Sequence, residues 1–348
     1  MKNHIVITAF LCIQTLFAQT TAFSEILEEY HSEKQFNGVV LVATNGNIDF
    51  LQCKGIGDRQ NNTPLEVSSQ FKIASMTKVF TAVLIMKLVE EGKIELDKTI
   101  NQYFPEYYGE GKDKVTIHQL LTYASGIENQ LDEQGMEPYQ TMITLDDFIK
   151  KYCSGNLVFT PGEKSNYGNT EYILLQKIIE NVSKKSFGDY LEEIILSTLH
   201  LKNTGIVYSE EKLLSGYLFN EETQVFEKED PYFPEMYFGA GALYSTVEDL
   251  LKFDQAIFTY QLLSEETTKT LLTIHPELGY TAYGFWGSTG WGSFKEPFYY
   301  RTGAIQGFTA NWIHTLENKK TILVLSNTNA TNLYALSEKL YLASLAKK

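Results

Sequence analysis

At 348 residues the chain is long enough for one large domain or two lobes, and 43% hydrophobic with 13% aromatic content supplies a substantial core. A formal charge of −14 excludes the basic surface that nucleic-acid binding requires and disfavours adsorption to anionic lipid. Among 29 Lys and Arg residues only Arg59 and Arg301 are arginine.

Residues 1–18 read as an export signal. Lys2 supplies the positive charge, Ile5 to Phe17 the apolar run, and Ala18 the small residue before Gln19. The run is too short to span a bilayer comfortably, and Cys12 follows the bulky Leu11, a poor context for lipid attachment. The expectation is an exported protein, periplasmic or extracellular, whose mature chain of residues 19–348 carries no membrane span.

Phe23 to Tyr30 predicts a short helix. Two strands follow within Phe36–Gly55, around Asn45-Gly46, a strong hairpin signal. The unbroken run Val39-Val40-Leu41-Val42 predicts a strand covered on both faces. Met76 to Gly92 is apolar nearly all round and predicts a buried central helix with Gly92 as its C-cap. From about Asp97 to Ile274 helical signals dominate. Thr116 with Gln119 and Ser245 with Glu248 read as capping boxes. Tyr172–Ile179 and Tyr190–Leu199 have helical spacing, and Pro161-Gly162 is a turn. Residues 215–237 are aromatic and acidic without a clean period, and predict a long loop or lid.

From Gly279 the pattern turns to strands at Phe298–Arg301, Phe308–His314 and Thr321–Leu325, the last entered through a Glu317-Asn318 turn, and Leu333–Leu345 closes as a helix. The predicted fold is α/β of the α+β type. One antiparallel sheet is built from both ends of the chain (about 19–75 and 279–348) and flanked by helices, with an all-helical lobe (about 76–278) inserted. Cys53 and Cys153 match no metal spacing, which leaves a disulfide or two buried thiols open.

The chemistry concentrates at Ser75-Met76-Thr77-Lys78. A hydroxyl and an amine three apart on a helix share one face, an arrangement that can activate a serine without histidine. The spacing alone is weak, since Ser69–Lys72, Ser209–Lys212 and Ser344–Lys347 repeat it. Only Ser75 opens a buried apolar helix. Tyr167-Gly168-Asn169, in a loop before a helix, and Arg301-Thr302-Gly303, at a strand end, are each the sole instance of their pattern. None of the six histidines forms a metal spacing, and neither a Gly-x-Ser-x-Gly elbow nor a phosphate-binding glycine loop is present. No metal or cofactor is expected.

In order, Ser-x-x-Lys, Tyr-x-Asn and basic-Thr-Gly resemble the active-site serine penicillin-recognising enzymes, most closely the branch of class C β-lactamases, D-alanyl-D-alanine carboxypeptidases and related esterases. Val115 to Thr122 with Ser125-Gly126-Ile127, and Gly239 to Thr246 with Glu248-Asp249-Leu250, fit the same branch. The resemblance implies a β-lactamase/transpeptidase-like fold and acyl transfer to a small-molecule or peptide substrate, D-amino-acid peptides or small esters first. Ser75 would be the nucleophile, with Lys78 and Tyr167 sharing the proton work. Asn169 would position Lys78 and a substrate amide. The N–H groups of Ser75 and Ala304 would form the oxyanion hole, and Arg301, Thr302 and Gly303 would bind substrate.

Arg301 departs from the Lys or His usual there. A guanidinium stays protonated and cannot relay a proton, so it holds a substrate carboxylate, tunes Tyr167, or only pairs with a structural acid. Tyr123 and Ala242 stand where His and Gly are common, with small packing consequences expected. A β-lactamase, or a binding protein that has lost turnover and acts as a sensor, are the alternatives.

Overall fold

A computed structural model describes residues 19–208 and 213–345. The expected export segment, Ser209–Lys212 and Lys347 lie outside the described residues.

Helix α1 spans residues 19–33, longer than predicted. Its stripe of Phe23, Leu27 and Tyr30 is buried, and the Gln19 amide adds a bond to the Ser344 carbonyl (3.0 Å) near the other end of the chain. Strands β1 (Gly38–Thr44) and β2 (Asn47–Lys54) follow. Their turn residues Asn45 and Gly46 take φ +50° and +77°, as a two-residue hairpin requires. Helix α2 (Thr77–Glu90) is entered through a 3-10 turn at Ala74–Met76. Gly92, at φ +67°, ends that segment. Helices α3 (Thr170–Ser183) and α4 (Val247–Phe258) follow among shorter ones. Strands β3 (Trp286–Ser288), β4 (Phe298–Ile305), β5 (Phe308–Thr315) and β6 (Lys320–Ser326) lead to helix α5 (Leu333–Leu345).

The six strands form one antiparallel sheet in the order β3-β4-β5-β6-β1-β2. Both ends of the chain therefore meet in its middle, where Gly38 pairs with Ser326 and Leu41 with Leu323. The apolar run on β1 splits by parity. Val39, Leu41 and Ala43 join the core shared with α2, α3 and α4, while Val40 and Val42 face α1 and α5. A strand covered on both faces has no polar side, which is why it reads as a continuous run. Helix α4 is tied under the sheet by Asp254. Its buried carboxylate accepts from Trp312 Nε1 (2.7 Å) and Thr321 Oγ1 (2.7 Å) and faces His314 Nδ1 at 2.9 Å.

The middle region is less uniformly helical than its sequence suggests. Phe71–Lys72, Leu243–Ser245 and Gly205–Ile206 pair as a small second sheet. The expected lid at 215–237 contains a hairpin, Tyr217–Asn220 with Val225–Lys228, and a 3-10 turn at Pro234–Tyr237. Its strands are four residues long and only Tyr217 is buried, too little for an alternating pattern to show. Arg59 lies over the Phe226 ring at 3.7 Å and pins the hairpin.

The Thr116–Gln119 capping box is present. The second box is displaced by one residue: Thr246 is the cap of α4 and accepts from Asp249 N, while Ser245 ends a strand. Residues 187–199 are helical as expected, through a π turn at Glu192–Leu196. Cys53 and Cys153 are both free thiols. Among the described residues no helix is long and apolar enough to cross a membrane.

Candidate active site

The 3-10 turn carrying Ser75 begins at Ala74, whose φ of +47° lies in the left-handed region. An alanine held there costs on the order of 1 kcal/mol or more, and its surroundings enforce it. Ile73 N donates to Leu243 O (2.9 Å) and Met76 N to Ile73 O (3.1 Å). The turn presses on β4, where a Cβ on Gly303 would fall 2.3 Å from Ile73 O. Gly303→Ala is therefore expected to push β4 from the Ser75 turn, lowering kcat/KM by roughly tenfold or more and the unfolding free energy by about 1–3 kcal/mol. Kinetics beside thermal melts would read both.

Ser75 is not a helix cap, since neither the turn nor α2 has a side-chain cap bond. Its hydroxyl instead faces two groups. Lys78 Nζ donates to Ser75 Oγ at 3.2 Å, and Tyr167 Oη lies 2.7 Å from the same oxygen. Lys78 is fully buried. Its other bonds run to Asn169 Oδ1 (2.7 Å) and the Ala240 carbonyl (2.9 Å). Asn169 turns its remaining amide to Tyr139 Oη (3.2 Å), so both ends of that side chain are used inside the protein. Tyr139 is braced by a parallel stack on Tyr237 at 3.7 Å.

Tyr167 comes from the loop after Pro161-Gly162. The loop is tied back by Gly162 N to Ala124 O and Asn166 N to Tyr123 O, each 2.8 Å. Tyr167 is 39% exposed and Ser75 is half-buried, so the nucleophile can be reached from solvent. Arg301 Nη2 donates to Tyr167 Oη (2.8 Å), Nη1 to Tyr123 Oη (3.0 Å) and Nε to the Ser75 carbonyl (2.9 Å). The guanidinium is fully buried and lies over the Trp286 ring at 4.6 Å.

These contacts set the electrostatics. Burial drives the Lys78 amine down, the Tyr167 phenol partly offsets this, and the amine settles at about 8. Burial alone would raise Tyr167; Arg301 and then Lys78 outweigh it and draw the phenol down to about 8. Tyr123 is pushed well above its ordinary value, burial again the largest cause, and stays neutral.

The residues expected from the sequence thus converge: Ser75, Lys78, Tyr167, Asn169 and Arg301 form one bonded cluster. Thr302 and Ala304 are exposed on β4 either side of the buried Gly303, beside the Ser75 turn. One expectation needs correcting. Arg301 does not offer its guanidinium to substrate, because it is fully buried and its N–H groups hold Ser75, Tyr123 and Tyr167 in place. Of its three anticipated roles, the geometry fits the tuning of Tyr167. The sequence also undervalued Tyr123, which contacts Arg301 directly, and gave no sign of Trp286 or Tyr139; the Ala240 carbonyl lies in the Gly239–Thr246 stretch but had no role assigned. Two of the departures from the family pattern, Tyr123 and Arg301, touch.

Comparisons with known proteins bear on the family. The chain is 28% identical over 341 residues to penicillin-binding protein 4* of Bacillus subtilis (strain 168), covering 90% of this chain and 71% of that protein. It is 27% identical to protein flp of Staphylococcus aureus (strain COL), covering 86% of this chain; it spans 61% of the flp protein's length. The crystal structure of a D-amino acid amidase from Ochrobactrum anthropi SV3 shares the fold, with a TM-score of 0.81 at 21% identity over 94% of this chain and 98% of that one. The family model described as Beta-lactamase matches residues 23–347, and the chain belongs to that family, as a protein of the serine-hydrolase type.

Proposed function

We propose that the protein is an exported hydrolase that cleaves amides or esters, with D-amino-acid peptides or small esters as its substrates, through an acyl-enzyme on Ser75. The observation that carries this reading is the position of Ser75 Oγ between Lys78 Nζ and Tyr167 Oη, with Arg301 bonded behind the phenol. Tyr167 as phenolate takes the Ser75 proton while Oγ bonds to the substrate carbonyl carbon. The N–H groups of Ser75 and Ala304 receive the developing oxyanion. Tyr167 then returns the proton to the departing amine or alcohol as the carbonyl–heteroatom bond breaks. Water repeats the sequence on the ester, with Tyr167 again as base, and frees the acid and Ser75. Lys78 as ammonium keeps Tyr167 ionised and orients the hydroxyl. The D-amino acid amidase of Ochrobactrum anthropi SV3, which shares this fold, favours the D-amino-acid part of the reading.

A covalent serine probe such as a fluorophosphonate tests it. Wild type should label in a stoichiometric burst, Ser75→Ala should not, and its turnover should fall by at least about a thousand-fold. An unlabelled wild type would sink the hydrolase and leave a binding protein.

A further inference from the structure

Arg301 is a cation beside a nucleophile, a place where a substrate carboxylate would be expected to bind. Its surroundings deny that use. The three bonds from Nε, Nη1 and Nη2 go to a carbonyl and two phenols, and the flat face is covered by Trp286. Of these partners Tyr123 is the one that takes no part in the proposed proton transfer.

Tyr123 is built to stay where it is. Its backbone is left-handed at φ +58°. Its ring stacks on Trp286 (6.1 Å, 17°) and packs against Tyr172 at 5.3 Å and Tyr167 at 5.0 Å. Its carbonyl accepts from Asn166 N, adjoining Tyr167. One residue thus fixes the guanidinium through its side chain and the Tyr167 loop through its backbone. Lys78, the other cation at Ser75, is buried and bonded to Ser75, Asn169 and Ala240. What β4 leaves open beside the nucleophile is neutral: Thr302 and Ala304.

We propose that Tyr123 is a specificity-determining positioning residue: by closing Arg301 to substrate it directs the enzyme to amides and esters with no carboxylate on the leaving side. A carboxylate arriving there would lose hydration and find Arg301 and Lys78 already engaged within the protein. This rests on the acyl-enzyme reading above.

The test compares N-acetyl-D-alanyl-D-alanine with its C-terminal amide, following release of the second residue, alongside Ser75 labelling. Wild type should favour the amide by roughly tenfold or more in kcat/KM, the worth of one unpaired ionic contact. Tyr123→Phe keeps the ring and frees Nη1, and should narrow that ratio chiefly by lowering KM for the carboxylate. Arg301→Lys, with a slimmer and more mobile cation, should narrow it further. A wild type that treats both peptides alike, or prefers the carboxylate, overturns the proposal, as does a ratio that neither variant moves. If Ser75 labels while the preference is reversed, only the specificity falls; if Ser75 does not label, the acyl-enzyme reading falls and takes this with it.

Discussion

Lys78→Met is expected to lower kcat/KM by at least about a thousand-fold while leaving the melting temperature nearly unchanged. The activity loss follows from the three bonds that Nζ makes, one to the nucleophile. The small stability effect is a balance. Burial holds the amine at about 8 in the folded chain, against about 10.4 when unfolded. Below pH 8 both states carry the charge, and the folded one bears a cost of roughly 3 kcal/mol. Methionine removes that cost but leaves Asn169 Oδ1 and the Ala240 carbonyl without their donor, at about 1–3 kcal/mol each. The two effects oppose each other.

The pH dependence gives a sharper check. Between about 8 and 10 the unfolded chain keeps a proton on lysine that folded Lys78 has released, so stability rises with pH on this account. Tyr167, also drawn down to about 8, adds in the same direction. Its contribution is full only above the unfolded value near 10 and is lost as pH falls through 8. The wild-type advantage over Lys78→Met in urea melts should therefore grow across that window. A variant within tenfold of wild-type kcat/KM would rule out Lys78 as part of the reacting group.

Arg301→Met should raise the pH at which the enzyme becomes active. Arg301 is the largest influence drawing Tyr167 down, and burial opposes it. Without the guanidinium the phenol rises, with Lys78 still drawing it down against burial. Each unit of that rise removes a factor of about ten in phenolate at neutral pH, so kcat/KM at pH 7 should fall by roughly tenfold or more and recover in part at higher pH. The rising limb of wild type should lie near 8. A pH–rate profile, read with the tyrosinate absorbance near 295 nm, measures both. If the limb stays at 8 in Arg301→Met, Tyr167 is not the base that Arg301 tunes. Arg301→Lys keeps a charge and should shift the limb less.

Much of this was legible from sequence where the cause is local. Asn45-Gly46 declares its hairpin because two positive φ angles suit those residues, and the all-round apolar run of α2 declares a helix without a wet side. Ser75 with Lys78 could be picked from four equivalent spacings because only this one opened such a helix. Strand β3, three residues among glycines and aromatics, offers no period to detect. The hairpin in 217–228 is too short and too exposed to alternate. The place of Tyr123 is illegible for a different reason. Its phenol bonds a guanidinium 178 residues away, and no local pattern encodes such a contact.

The sheet order has a consequence for synthesis of the protein. Strand β1 leaves the ribosome early, but its partner β6 comes from the far end of the chain. Arg301, which holds the Ser75 carbonyl, follows that residue by 226 positions. At about 5–20 residues per second, that stretch takes roughly 10–45 s to emerge. Throughout that time β1 stands as an unfinished edge with apolar side chains on both faces. High contact order of this kind slows folding and exposes the nascent chain to mispairing. It also means that the proposed nucleophile lacks Arg301 beside Tyr167 until nearly the whole chain has been made, so a stalled or shortened polypeptide should carry no hydrolytic activity.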